Sequence, residues 1–108
     1  MIKRNCLYET NFENGVLVVR LRGEIDHHTA VAVRSKIDEL ICEQKPHKTV
    51  LELSEIDFMD SSGLGLIMGR YALMQRIGGE LSVKNLGERV MKIFELAGLG
   101  RIIKIEKE

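Results

Sequence analysis

Charge imbalance is the first thing this chain lacks. Its 16 Lys+Arg are offset by 16 Asp+Glu, and a protein that grips nucleic acid through phosphates would carry a basic excess. Cysteine is scarce: Cys6 and Cys42 stand far apart, with no second cysteine two or three residues from either, so no zinc pattern exists. No apolar run approaches the length needed to span a bilayer, and the opening Met1 to Cys6 has no apolar stretch of the signal-peptide kind. The expectation is a cytoplasmic protein with two reduced thiols and no membrane contact. Proline occurs once, at Pro46, and no linker, repeat or low-complexity tract interrupts the sequence. The 108 residues are therefore read as one domain, 1–108. A chain of this size buries roughly 65% of its unfolded surface, enough for a core without staples.

Catalytic signatures are missing as well. The stretch Met59-Asp60-Ser61-Ser62-Gly63 lacks the first glycine of a nucleophile elbow, and every histidine precedes Ser61, whereas the hydrolases that use the elbow place histidine last. There is no Walker A loop and no dinucleotide fingerprint. His27 and His28 are adjacent, so in extended chain they point opposite ways and do not share a metal. No catalytic residue, metal or cofactor is expected; the pattern is that of a substrate and binder.

Periodicity supplies the architecture. Leu7 to Phe12 reads as a strand, Asn14-Gly15 as a two-residue hairpin turn, and Val16 to Arg22 as a second strand with Leu17, Val19 and Leu21 on one face. Thr29 fits an N-cap, followed at helical spacing by Ala30, Val33, Ile37, Leu40 and Ile41. Val50 to Leu53 suits a short buried strand. Leu64, Ile67, Met68, Tyr71 and Met74 mark a second helix, stopped by Gly78-Gly79. A strand at Leu81 and Val83, a third helix through Val90, Ile93, Phe94 and Ala97, and a last strand from Ile102 to Ile105 complete the order. Strands alternating with helices predict an α/β fold: a mixed sheet of four to five strands, an N-terminal hairpin and packed helices.

In such sheets, functional groups gather where strands feed helices. Two junctions qualify, Gly23 to Thr29 and Asp57 to Gly65. At the second, Asp60, Ser61 and Ser62 give more polar groups than one cap requires. Gly63 and Gly65 sit in the first helical turn, where each costs about 1 kcal/mol relative to alanine. Glycine there keeps the surface low, so a partner can approach. Gly65, Gly69 and Ala72 continue a small-residue stripe, for which internal packing is the commoner explanation. A helix start also tolerates phosphate, since its free N–H groups and positive dipole end favour an anion. Asp60 is expected to position the Ser61 hydroxyl, Ser62 to serve as a cap, and Asp26 to lie at the same sheet edge as Ser61.

Two segments, Gly23-Glu24-Ile25-Asp26-His27-His28-Thr29-Ala30 and Phe58-Met59-Asp60-Ser61-Ser62-Gly63-Leu64-Gly65, resemble the anti-sigma-factor antagonist family, the STAS domain. The resemblance runs from about Leu17 to Ile105. Within the family, Asp26 to Thr29 and Leu66 to Tyr71 look most like the sporulation branch acting on sigma factor F. The resemblance implies phosphorylation at Ser61, the serine directly after the aspartate. It also implies a partner surface of Asp26, His27, Asp60, Ser61, Ser62, Gly63 and Gly65. The partners it implies are an anti-sigma factor with serine kinase activity, carrying ATP or ADP, and a serine phosphatase; the chain itself acts as a monomer. A nucleotide-sensing or small-ligand-sensing module and a stress-response antagonist are the alternatives.

Overall fold

The computed structural model describes residues 7–106. β1 (Leu7–Glu13) and β2 (Val16–Ile25) form the hairpin, and α1 (His27–Gln44) leads to β3 (Lys48–Met59). Next come α2 (Ser61–Arg76), β4 (Glu80–Lys84), α3 (Glu88–Leu96), a 3₁₀ turn (Leu99–Arg101) and β5 (Lys104–Glu106). The five strands pair in chain order, β1 antiparallel to β2 and every later pair parallel. The hairpin turns through Asn14 and Gly15 at φ 53° and 78°, the double positive-φ turn that matches strand twist.

Parallel neighbours in sequential order, joined by right-handed crossovers, bring all three helices to one face of the sheet. Alternation in the strands agrees. Leu17, Val19, Leu51, Leu53, Leu81 and Val83 are buried against that face, joined by Val33, Ile37 and Ile41 of α1, Leu66, Ile67 and Met74 of α2, and Phe94 of α3. Thr49, fully buried, donates its hydroxyl to the Met74 sulfur at 3.2 Å. The opposite face carries charge in place of a helix layer: Arg20 and Arg22 pair with Glu9, Glu52 and Glu55. Burial pushes the Glu52 carboxyl up, but hydrogen bonds from Asn85 and Ser54, with Arg20 nearby, outweigh it and hold the group below its ordinary range.

Several boundaries differ from the sequence expectation. β2 does not stop at Arg22 but runs to Ile25, so Gly23 to Ile25 are strand rather than junction. β3 does not stop at Leu53 but runs to Met59, because β2 keeps pairing with it through two register shifts, between Arg20 and Arg22 and between Gly23 and Glu24. Asp57 and Phe58 are therefore strand residues rather than junction. Ile102 and Ile103 lie outside β5, since the turn Leu99–Arg101 occupies the preceding chain. The cap of α1 is Asp26, not Thr29.

Candidate functional site

β2 and β3 end level with one another: Ile25 pairs with Met59, and the next residue on each strand is an aspartate. Neighbouring strands run about 4.8 Å apart, so the register delivers Asp26 and Asp60 side by side. The Asp60 N–H donates to the Ile25 carbonyl at 3.3 Å, joining the two turns directly. Both aspartates are extended, at φ −119° and −107°, and each caps the helix that follows. Two helix N-termini with their positive dipole ends thus open at one edge of the sheet.

The caps differ in detail. Asp26 Oδ1 accepts from the Thr29 N–H at 3.0 Å, while the Thr29 hydroxyl oxygen accepts from the Asp26 N–H at 2.9 Å. This reciprocal box makes Thr29 the third helical residue rather than the cap. Consequently His27 and His28 occupy the first turn of α1 and are not extended. Asp60 Oδ1 accepts from the Ser62 N–H at 2.8 Å. The carboxylate is thus spent on the Ser62 backbone, and the cap expected of Ser62 belongs to Asp60. Ser61 is the first residue of α2 and is exposed; Ser62 is half-buried behind it.

The Thr29 N–H, and secondarily the Thr29 hydroxyl and His28 N–H, hold the Asp26 carboxyl below the usual carboxylate range against a smaller opposing effect of burial. Its folded pKa lies under its unfolded value, so this cap stabilises fully above about pH 4 and loses its contribution as pH falls through the folded value. In urea titrations at pH 6 and pH 3, Asp26→Asn should show a smaller acid-induced drop in midpoint than wild type. An equal drop would remove Asp26 from the acid response.

Glycine plays two roles here. Gly63 is buried, and a Cβ there would collide with the Met59 side chain and come within 3.4 Å of Ile25 Cγ2. Its smallness serves the packing of α2 on the strand ends, so Gly63 is not a surface that a partner could touch. At Gly65 and Gly69 a Cβ would meet nothing within 4 Å; these two members of the small-residue stripe open outward instead of packing internally. A groove of about 220 Å³ runs between α1 and α2, lined by His27, Ala30, Val31, Arg34, Ser62, Gly65 and Leu66. It joins His27 to Ser62 and Gly65 as the sequence suggested. Ala30, Val31, Arg34 and Leu66 were not among the expected site residues, since they read as ordinary positions of amphipathic helices.

On the other side of the junction lies a depression of about 370 Å³, whose lining includes Phe58, Met59, Arg89 and Ile93. Phe58 is 44% exposed, an aromatic left open one residue before the strand ends. Among the described residues no cluster of three His, Cys, Asp or Glu suits a metal, and no helix is long and apolar enough to cross a membrane.

The model of the STAS domain matches residues 8–108. The chain belongs to the STAS-domain family. An anti-sigma F factor antagonist of Paenibacillus polymyxa is 44% identical over 101 residues, covering 94% of this chain and 86% of the relative. An anti-sigma-B factor antagonist of Bacillus subtilis is 37% identical over 87 residues, covering 81% and 78%. Among solved structures, the anti-sigma factor antagonist SpoIIAA in its unphosphorylated form superposes with a TM-score of 0.82 at 30% identity, covering 94% of this chain and 90% of that one. The phosphorylated form of the Bacillus SpoIIAA gives 0.75 at 29% identity, covering 94% and 93%. This STAS domain therefore has the fold of a protein solved both with and without its phosphate.

Proposed function

We propose that this chain is an anti-sigma factor antagonist of the sigma F branch, inactivated by phosphorylation on Ser61. The observation that carries the proposal is the placement of Ser61: exposed, at the first position of α2, beside the paired caps Asp26 and Asp60. The names of its relatives and of the SpoIIAA structures support the same reading. In this cycle the unphosphorylated protein binds an anti-sigma factor that is also a serine kinase, and the sigma factor is released. The kinase then transfers phosphate from its own ATP. The Ser61 oxygen bonds to the γ-phosphorus, the bond from that phosphorus to ADP breaks, and the hydroxyl proton leaves to a base on the kinase. A serine phosphatase restores the hydroxyl. The antagonist is a cytoplasmic monomer and contributes a positioned hydroxyl and a recognition surface, without a nucleotide site or catalytic group of its own.

Asp26, His27, Asp60, Ser61, Ser62 and Gly65 form that surface, with Gly63 behind it. The likeness to an anti-sigma-B antagonist keeps a stress-response partner as the second reading, with the same chemistry on Ser61. The test is incubation with purified anti-sigma F factor and ATP, then with anti-sigma-B factor, followed by peptide mass mapping. Phosphate on Ser61 with the F kinase is the expected result. Phosphate on Ser62, or incorporation without any kinase, contradicts the site assignment; phosphate on Ser61 with the B kinase alone would move the chain to the stress-response branch.

A further inference from the structure

The α1–α2 groove carries a charge that the fold does not satisfy. Arg34 and Asp38 are four residues apart on α1, the spacing at which a helix forms an ion pair. Asp38 is engaged elsewhere: its Oδ1 lies 2.8 Å from Nε of Arg70, across the helix interface, in an ion pair whose geometry falls short of a hydrogen bond. Arg70 is 6% exposed, its Nη1 donates to the Leu66 carbonyl at 3.3 Å, and among the described residues Asp38 is its one acidic partner. Burial of the Arg70 guanidinium lowers its pKa, Asp38 opposes that, and Arg34 adds to it, which places Arg34 within electrostatic reach of the pair. Among the described residues, Arg34 has no salt bridge. It stands at the groove as an exposed cation.

The rest of the groove is apolar and open. Ala30, Val31 and Leu66 form its walls, Val31 is 44% exposed, and nothing fills the space above Gly65. Its volume of about 220 Å³ falls below the roughly 300–1,000 Å³ of small-molecule pockets. It suits one or two side chains of another protein. His27 adds a hydrogen-bond donor at the rim.

We propose that this groove receives an acidic side chain, with an apolar neighbour, from the anti-sigma factor. The carboxylate lies against Arg34 and the apolar group rests over Gly65 between Val31 and Leu66. The proposal builds on the function proposed above and adds the sign of the partner's surface at this point. The antagonist's face is then dipolar, acidic at Asp26 and Asp60 and basic at Arg34, which fixes how the partner is oriented when it docks.

The test measures binding of purified anti-sigma F factor to wild type, Arg34→Ala, Arg34→Glu and Asp26→Ala, at low and at high salt. Because Arg34 is exposed, both variants should fold, and melts should move by only a few degrees, since its charge acts on the Arg70–Asp38 pair from a distance. Arg34→Ala should weaken binding about fivefold and Arg34→Glu more than tenfold, mainly through a slower, less salt-sensitive association. A lysine at one of the partner's acidic positions should restore binding to Arg34→Glu. If Arg34→Glu binds like wild type while Asp26→Ala or the phosphoprotein binds poorly, the groove proposal falls and the function stands. A change in the oligomeric state of Arg34→Glu with unchanged affinity would also overturn it, by making a second copy of this chain the occupant. If neither Asp26→Ala, Arg34→Glu nor phosphate alters affinity, the proposed function falls too.

Discussion

Phosphorylation of Ser61 should weaken binding to the anti-sigma factor by about a hundredfold or more, a change that requires only about 2.7 kcal/mol. The phosphate brings about −1.5 to −2 charges and three acceptor oxygens. It arrives beside two carboxylates, Asp26 and Asp60, which already occupy the caps of both helices at this edge. In the docked state the added charge faces like-charge repulsion, loss of water and steric conflict at once, and a desolvated charge at an interface supplies energies of this size. The undocked domain tolerates it, because Ser61 is exposed at the positive dipole end of α2 and its phosphate can stay in water. Ser61→Asp should reproduce part of the loss, having less charge and fewer oxygens. Ser61→Ala should bind like wild type and never be released by the kinase. Isothermal titration of all four species against the anti-sigma factor checks this; equal affinities for Ser61→Ala and the phosphoprotein would refute it.

The second large effect concerns stability, and its sign depends on which glycine is changed. Helix propensity alone favours alanine over glycine by about 1 kcal/mol. Gly69→Ala adds its methyl to open space and should gain up to about that amount. Gly63→Ala places the same methyl on the Met59 side chain, which is itself 3% exposed and has little room to withdraw. Overpacking of this kind costs about 1–3 kcal/mol and should exceed the propensity gain. In a domain near 100 residues each kcal/mol moves Tm by about 4–8 °C. Calorimetry should therefore find Gly63→Ala melting lower than wild type and Gly69→Ala melting at or above it. A raised Tm for Gly63→Ala would mean that Met59 yields freely.

The same pair of glycines separates what the sequence could tell from what it could not. From the sequence, Gly63 in the first helical turn reads as a low surface open to a partner and Gly69 in the small-residue stripe reads as internal packing; the structure reverses both. Only the third dimension distinguishes Gly63, pressed onto Met59, from Gly69. The hairpin and the order of strands and helices were legible, because Asn14-Gly15 and the apolar periodicities are local signals. The extension of β3 to Met59 was not, since Ser54 and Glu55 break its apolar pattern and its pairing depends on bulges with a distant strand. Asp26 and Asp60 could be placed at one edge from topology. Their equivalence as caps rests on the register of Ile25 with Met59, which no local pattern encodes. Arg34 stayed hidden because its loneliness depends on Arg70, 36 positions later, taking its natural partner.

Ser61 should control the docking surface locally, without refolding the domain. Amide NMR spectra of the chain before and after stoichiometric phosphorylation, with anti-sigma affinity measured on the same samples, test it most directly. Shifts confined to the residues around Asp26 and Ser61, accompanied by lost affinity, are the predicted result. Shifts spread through α3 and β5, or an unshifted junction with lost affinity, would contradict it.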